Sequence, residues 1–258
     1  MAKAFEGRAA IVTGASSGMG RLTAQRLARA GMECWLIGRS ETELNVTCKS
    51  IADAGGPDAH IMPVDISAPG ALADAVADVG GRHPYLAALI NNAAVMLPDP
   101  VIDGSLDNSR AMMAINLMAP MEGCRAAVKI MRQHGKPAHL VNISSLASQG
   151  DGYGMYGISK AALNHLGKSL RHELEGDDIR VTTIIPGGFS TNLARSFPPE
   201  VLAQMQEKIG AMGVADMSRL MGDPDEIAKV IEYVLMQPIN INLEEIVVRP
   251  AVDLQIDY

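Results

Sequence analysis

Arg8-Ala-Ala-Ile-Val-Thr13-Gly14-Ala15-Ser16-Ser17-Gly18-Met19-Gly20 leads from a short apolar run through three glycines into a stretch with helical periodicity. Residues 8–13 read as a strand and 18–31 as the helix that follows, so the glycines lie on a strand-to-helix turn. Gly14 lets the chain turn, while Gly18 and Gly20 let backbone and helix come close to a ligand. The free amides and dipole of a helix N-terminus attract anions, and a turn after the first strand is where a pyrophosphate binds. The spacing is Gly-x-x-x-Gly-x-Gly, not Gly-x-Gly-x-x-Gly, but its position in the chain implies a dinucleotide. No Gly-Lys-Ser/Thr follows, which excludes a P-loop.

The pattern continues outward from this turn. Residues 33–37, 59–64, 86–90, 138–143, 179–185 and 244–249 read as further strands, several almost wholly apolar, which indicates a sheet covered on both faces. Between them, 41–54, 70–80, 106–133, 155–175 and 224–236 show helical spacing. Repeated strand–helix units predict an α/β fold: one doubly wound parallel sheet in a single domain, 1–258, with helices on both faces. Residues of about 190–222 break the pattern. Met205, Met212, Met217 and Met221 stand there, and the position suits a substrate lid.

The second strand ends in Gly38-Arg39-Ser40. An acid at this place holds the 2′-hydroxyl of NAD, whereas an arginine pairs with the 2′-phosphate of NADP. Arg39 therefore favours NADP(H), with NAD(H) as the alternative.

Bulk composition removes several function classes. Of 258 residues, 48% are hydrophobic and 20% charged, an ordinary globular balance. Net charge is −7, from 22 basic and 29 acidic residues, and no basic run offers a nucleic-acid surface. Neither a signal-peptide pattern nor an apolar stretch of about 18 residues occurs, so no membrane partner is expected and the cytoplasm is the expected location. Cys34, Cys48 and Cys124 are widely spaced and read as small buried hydrophobes. The six histidines form no metal-binding pattern, and no metal is expected.

Tyr156-Gly-Ile-Ser-Lys160 places a phenol and an ammonium four residues apart, on one helix face. An ammonium ~5 Å from the phenol at an effective dielectric of ~20 contributes about 3 kcal/mol, or roughly two pKa units downward. The tyrosine then becomes a usable acid and base near neutrality.

Taken together, these motifs resemble the short-chain dehydrogenase/reductase family, and the resemblance covers nearly the whole chain. Thr13–Gly20, with Ser16, Ser17 and Met19, is similar to its cofactor loop. Asp65-Ile66 is similar to its adenine contact, and Asn91-Asn92-Ala93-Ala94 to its Asn-Asn-Ala-Gly. Asn116, in Ala-Ile-Asn-Leu, matches the helix asparagine that supports a proton-relay water. Asn142-Ile-Ser-Ser145 matches the strand-end serine, with Ser144 as the alternative. Pro186-Gly187 with Thr191 resembles the contact on the nicotinamide side.

The resemblance implies a Rossmann-type oxidoreductase that moves a hydride between NADP(H) and a carbonyl or secondary alcohol. Tyr156 would exchange the proton and Lys160 would bind the nicotinamide ribose. Ser145 would hold the substrate oxygen, and Asn116 would order a water leading from Lys160. The partner would be a small carbonyl or alcohol. Pairing through 106–133 and 155–175, aided by Gly167, would give a homodimer or homotetramer. Three departures stand out. Ser145 and Tyr156 are 11 positions apart where the family commonly has 13, which predicts a wider pocket. Ala94 replaces the usual glycine, and the C-terminus lacks the common Asp-Gly-Gly.

Two rival readings come from other classes. One is an NAD(P)-binding regulator without turnover, which would have no need of the Asn-Ser-Tyr-Lys set. The other is an α/β-hydrolase, because Gly14-Ala15-Ser16-Ser17-Gly18 matches the Gly-x-Ser-x-Gly elbow with Ser16 as nucleophile. That elbow needs an oxyanion donor after an earlier strand, and only one strand precedes it.

Overall fold

The computed structural model describes residues 3–97, 99–191, 193, 197, 199–211 and 220–251. β1 (Ala9–Thr13), α1 (Gly18–Arg29), β2 (Glu33–Gly38), α2 (Glu41–Asp53), β3 (Ala59–Pro63), α3 (Ala71–Arg82) and β4 (Leu86–Asn91) alternate along the first half. α4 (Leu106–Met113), a π-helical turn (Ala114–Met118), α5 (Ala119–His134) and β5 (Ala138–Ile143) follow. The chain goes on through a 3-10 turn (Leu146–Ser148), α6 (Gly154–Glu173), β6 (Ile179–Pro186), α7 (Pro199–Ala211), α8 (Asp225–Met236) and β7 (Glu245–Val248).

All seven strands pair in parallel in the order β3-β2-β1-β4-β5-β6-β7. The fold is the doubly wound sheet that the strand–helix alternation predicts. Successive strand residues point to opposite faces. Val12, Leu36, Val141 and Ile184 meet Leu27 of α1, Leu44 of α2 and Ile231 of α8 on one side. Ile11, Ile37, Leu140 and Val181 meet Val79 of α3, Met131 of α5 and Leu170 of α6 on the other. Each such side chain contributes about 1.5–3 kcal/mol on burial, so the two apolar faces hold the helices in place. The Arg26 guanidinium also grips Asp225 with two bonds, Nε–Oδ1 2.7 Å and Nη2–Oδ2 2.5 Å, and pins α1 to α8.

Two elements depart from the sequence expectation. The single helix expected over 106–133 is broken at 114–118. Pro120 has no N–H to give to the Asn116 carbonyl four residues earlier, and the ladder widens there into a π turn. The irregular stretch expected over 190–222 contains α7. Gly167 packs α6 against the sheet. A Cβ there would stand 2.5 Å from Thr183 Oγ1, so this glycine lets α6 lie close on β6.

The chain builds outward from β1 to β3 and then crosses back to β4 on the other side of β1. Connections diverge at β1/β4, which opens a crevice beyond the C-terminal strand ends.

Candidate active site

A cavity of about 760 Å³ fills that crevice. On the β1 side it is lined by Gly14, Ser16, Ser17, Gly18 and Met19, with Arg39 after β2 and Asp65 and Ile66 after β3. On the other side stand Asn92, Ala93 and Ala94 after β4, Ser145 after β5, and Tyr156 and Lys160 on α6. Pro186, Gly187 and Thr191, after β6, close the ring. Two of the expected residues, Gly20 and Asn116, do not line it.

Gly20 serves the turn itself. A Cβ there would collide with the Gly14 carbonyl, so the helix can start this close to β1 only without a side chain. Gly18, at φ +53°, is different. The nearest atom to its absent Cβ is Thr191 Cβ at 3.9 Å, and Ser17, the N-cap just before α1, makes no side-chain cap. Open space thus faces uncapped amides at a helix N-terminus, a cradle that fits a dinucleotide pyrophosphate.

The turn is held from behind. Thr47 Oγ1 of α2 donates to the Ala15 carbonyl at 2.9 Å, and Arg21 of α1 donates to Thr47 Oγ1 and to the Ser16 carbonyl. From the β4 side, Asn92 Nδ2 donates to the Thr13 carbonyl at 2.9 Å, while Thr13 Oγ1 accepts from the amides of Asn92 and Ala93. Asn92 therefore fixes the loop with its amide. Arg39 is exposed at the rim, and no carboxylate pairs with it among the described residues. The Asp65 carboxylate accepts from Ser67 N, which holds its pKa below the usual range, helped by the nearby Arg39 charge.

Tyr156 and Lys160 are both buried on α6. The Lys160 ammonium lies 6.0 Å from the Tyr156 ring centroid and donates to the Ile143 carbonyl at 2.8 Å. Ser144 Oγ is committed to the Lys160 carbonyl, which leaves Ser145 as the hydroxyl beside Tyr156. The electrostatics reverse the sequence expectation. Burial pushes the Tyr156 phenol up to about 12, with a Ser145 hydrogen bond pulling the other way, and pushes Lys160 down to about 7. Desolvation penalises both charged forms, and at Tyr156 it outweighs the opposing effect of Ser145.

Asn116 is fully buried in the π turn. Its Oδ1 accepts from Val95 N and its Nδ2 donates to Val95 O, both at 2.9 Å, with a further bond to Ser159 Oγ at 3.0 Å. Ser159 in turn donates to the Tyr156 carbonyl. The side chain is thus occupied with the cavity wall.

Sequence reasoning missed Arg21, Thr47, Val95, Ser159 and Tyr153. Ser159 sits inside the Tyr-x-x-x-Lys stretch, and Tyr153 is one helical turn before Tyr156, so spacing offered a signal for both. Arg21 and Thr47 meet across 26 residues, which no local pattern reveals. Cys34 and Cys124 are buried, with their thiols pushed up to about 12 by desolvation. Of the four methionines, Met221 lines the cavity; Met212, Met217 and the Met205 side chain lie outside the described residues. No group of His, Cys, Asp and Glu among the described residues could hold a metal.

A family model described as short chain dehydrogenase matches residues 8–201. The chain belongs to the short-chain dehydrogenase family. It is 32% identical over 230 residues to a 2,5-dichloro-2,5-cyclohexadiene-1,4-diol dehydrogenase of Sphingobium indicum, covering 88% of each chain. An uncharacterized oxidoreductase of Staphylococcus saprophyticus is 29% identical over 254 residues, with 96% and 99% covered. Among solved structures, a metagenomic short-chain oxidoreductase in complex with NADP is 29% identical, with a TM-score of 0.78 over 96% of this chain and 100% of that one. A putative 2-deoxy-D-gluconate 3-dehydrogenase from Agrobacterium tumefaciens with bound NADP is 27% identical, with a TM-score of 0.81 and 95% of each chain covered. This short-chain dehydrogenase is thus an oxidoreductase by family. No described helix is long and apolar enough to cross a membrane.

Proposed function

We propose that the protein is an NADP(H)-dependent oxidoreductase that interconverts a carbonyl compound and a secondary alcohol, with Tyr156 as general acid and base. The observation that carries this reading is that Ser145, Tyr156 and Lys160 line the same cavity as the glycine turn. A reduced nicotinamide, when bound, would supply the hydride for the carbonyl carbon. Tyr156 gives its phenolic proton to the carbonyl oxygen as negative charge develops there, and Ser145 donates a hydrogen bond to the same oxygen. Lys160 holds the cofactor ribose and offers a cation to the tyrosinate that forms. Asn116 positions this machinery through Val95 and Ser159.

Gly14, Ser16, Ser17, Gly18 and Met19 hold the pyrophosphate side of the cofactor. Asp65, Ile66, Ala93 and Ala94 hold its adenosine half, and Pro186, Gly187 and Thr191 its nicotinamide. Arg39 selects NADP(H): it is exposed at the rim with no ion pair to a carboxylate among the described residues, and two relatives of known structure bind NADP. The segment over 190–222 acts as a substrate lid, since Leu193, Phe197, Ile209 and Met221 face the cavity. Its ends meet in a parallel bridge, where Gly222 N donates to Gly188 O at 2.9 Å and Ser190 N to Gly222 O at 3.1 Å.

The exposed Met118 and Ile158, on the helices expected to pair, support a homodimer or homotetramer, which light scattering would check. Three free cysteines suit the cytoplasm. Against the hydrolase reading, no histidine lines the cavity among the described residues, so Ser16 lacks that base. Tyr156→Phe is expected to abolish turnover and leave NADPH binding intact, and an active variant would overturn the mechanism.

A further inference from the structure

Building on the oxidoreductase reading, we propose that the substrate carries an uncharged, apolar body around its reacting carbon, and that Tyr153 is the specificity-determining wall against which this body lies. Beside Tyr156 the cavity is faced by Met96, Leu97, Ala147, Tyr153, Leu193 and Phe197. Four of these, Met96, Leu97, Tyr153 and Leu193, pack on one small apolar cluster built on Met112, Ala147 and Tyr156, so this wall is continuous with the reacting phenol.

The charged residues that line the cavity, among those described, are Arg39, Asp65 and Lys160. Strands stand about 4.8 Å apart. Arg39 follows β2, three strands from β5, and Asp65 follows β3, four strands away. They are therefore roughly 14 and 19 Å from the Ser145 end of β5, far outside ion-pair reach. Lys160 is bonded to the Ile143 carbonyl beneath the Tyr156 ring. Among the described residues, a carboxylate next to the reacting carbon would lose its water and meet no cation, and a polyol would lie against a mostly apolar wall. A hydrocarbon or aromatic body loses nothing there and buries its surface.

Tyr153 is seated for this role. It is the N-cap of α6, three residues before Tyr156, and packs on the same apolar cluster as that ring. A side chain at Gly150 would come within 3.1 Å of Tyr153 Cε2, so the 145–156 segment lies in tight contact with the ring.

The test uses a matched pair of carbonyls that differ only in methyl against carboxylate, 4-phenyl-2-butanone and 2-oxo-4-phenylbutyrate. With NADPH and the full chain, kcat/KM should favour the ketone by at least about 100-fold. Titrated calorimetrically into the protein with NADP+, which cannot reduce it, the ketone should bind with a negative heat-capacity change, and the oxo acid should not bind. Tyr153→Ala should raise KM for the ketone by about 10-fold or more without moving the dinucleotide Kd, and Tyr153→Phe should restore it. Equal or better reduction of the oxo acid would overturn the substrate class and leave the oxidoreductase reading standing. Selective ketone binding without reduction of either compound would uphold the pocket and overturn that reading. An unchanged KM in Tyr153→Ala, or ketone binding no tighter than that of the oxo acid, would overturn the inference itself.

Discussion

Asn116 grips a single residue at both of its peptide groups, accepting from Val95 N and donating to Val95 O at 2.9 Å each. This pairing substitutes for a strand partner where the chain leaves β4 and begins to wall the cavity. Asn116→Ala would leave two main-chain groups and Ser159 Oγ short of a partner at a fully buried position. Each orphaned group costs about 1–3 kcal/mol, so a loss of roughly 2–4 kcal/mol in denaturant unfolding is expected, with a lower kcat as the wall shifts. Stability within about 0.5 kcal/mol of the parent would refute the clamp.

A second prediction concerns the back of the glycine turn. Thr47→Val keeps the shape but removes the donor to Ala15 and the acceptor for Arg21. Dinucleotide Kd should rise by about 5- to 10-fold, the equivalent of roughly 1 kcal/mol, with little change in kcat. Arg21→Met should do the same through Ser16, because its exposed pairing with Glu43 contributes little. An unchanged Kd in both variants would show that the turn holds its shape unaided.

The two opposed pKa shifts give a signature in pH. With the phenol pushed up to about 12, Tyr156 stays protonated across the neutral range, ready as an acid and poor as a base. Alcohol oxidation should accelerate as pH rises toward about 10, while carbonyl reduction should not. A pH-independent oxidation rate between 7 and 10 would contradict this.

Lys160 couples the same chemistry to stability. Its folded pKa, about 7, lies below its ordinary 10.5, so between those values the unfolded chain holds a proton that the native chain lacks. Stability therefore rises with pH across this window and falls as pH drops toward 7. Lys160→Met should flatten that slope, measured by denaturant unfolding at pH 7 and pH 10. Equal slopes in parent and variant would mean that the ammonium is solvated after all.

Arg39 tests cofactor choice. Arg39→Ala is expected to lower the NADPH-to-NADH ratio of kcat/KM by at least about 10-fold, chiefly through the KM for NADPH. A parent enzyme that prefers NADH would reverse the assignment.

The layered sheet was readable because its interior strands, such as Ala9–Thr13 and Leu86–Asn91, are buried on both faces and so are apolar up to their last residue. The site was readable where chemistry fixes spacing, as in Tyr156 and Lys160 or Gly14 and Gly18. It was not readable where one residue answers another across the fold. Nothing near Asn116 names Val95, and nothing near Thr47 names Ala15. The direction of the Tyr156 shift was misjudged for a related reason. Spacing reports the neighbouring charge, whereas desolvation depends on everything packed around the ring.

The bridge that joins Gly188 and Ser190 to Gly222 has a consequence for how this enzyme can change. The chain leaves the scaffold and returns to it at one point, just before Asp225 anchors α8 to Arg26. A closed excursion of this kind tolerates changes of length cheaply, since doubling a loop costs only about 0.6 kcal/mol in closure entropy. The stretch between is therefore a cassette. In the proposed lid role, exchanging it for another of different length and composition would retune which molecules are accepted, while the sheet, the glycine turn and the Tyr156 centre stay as they are.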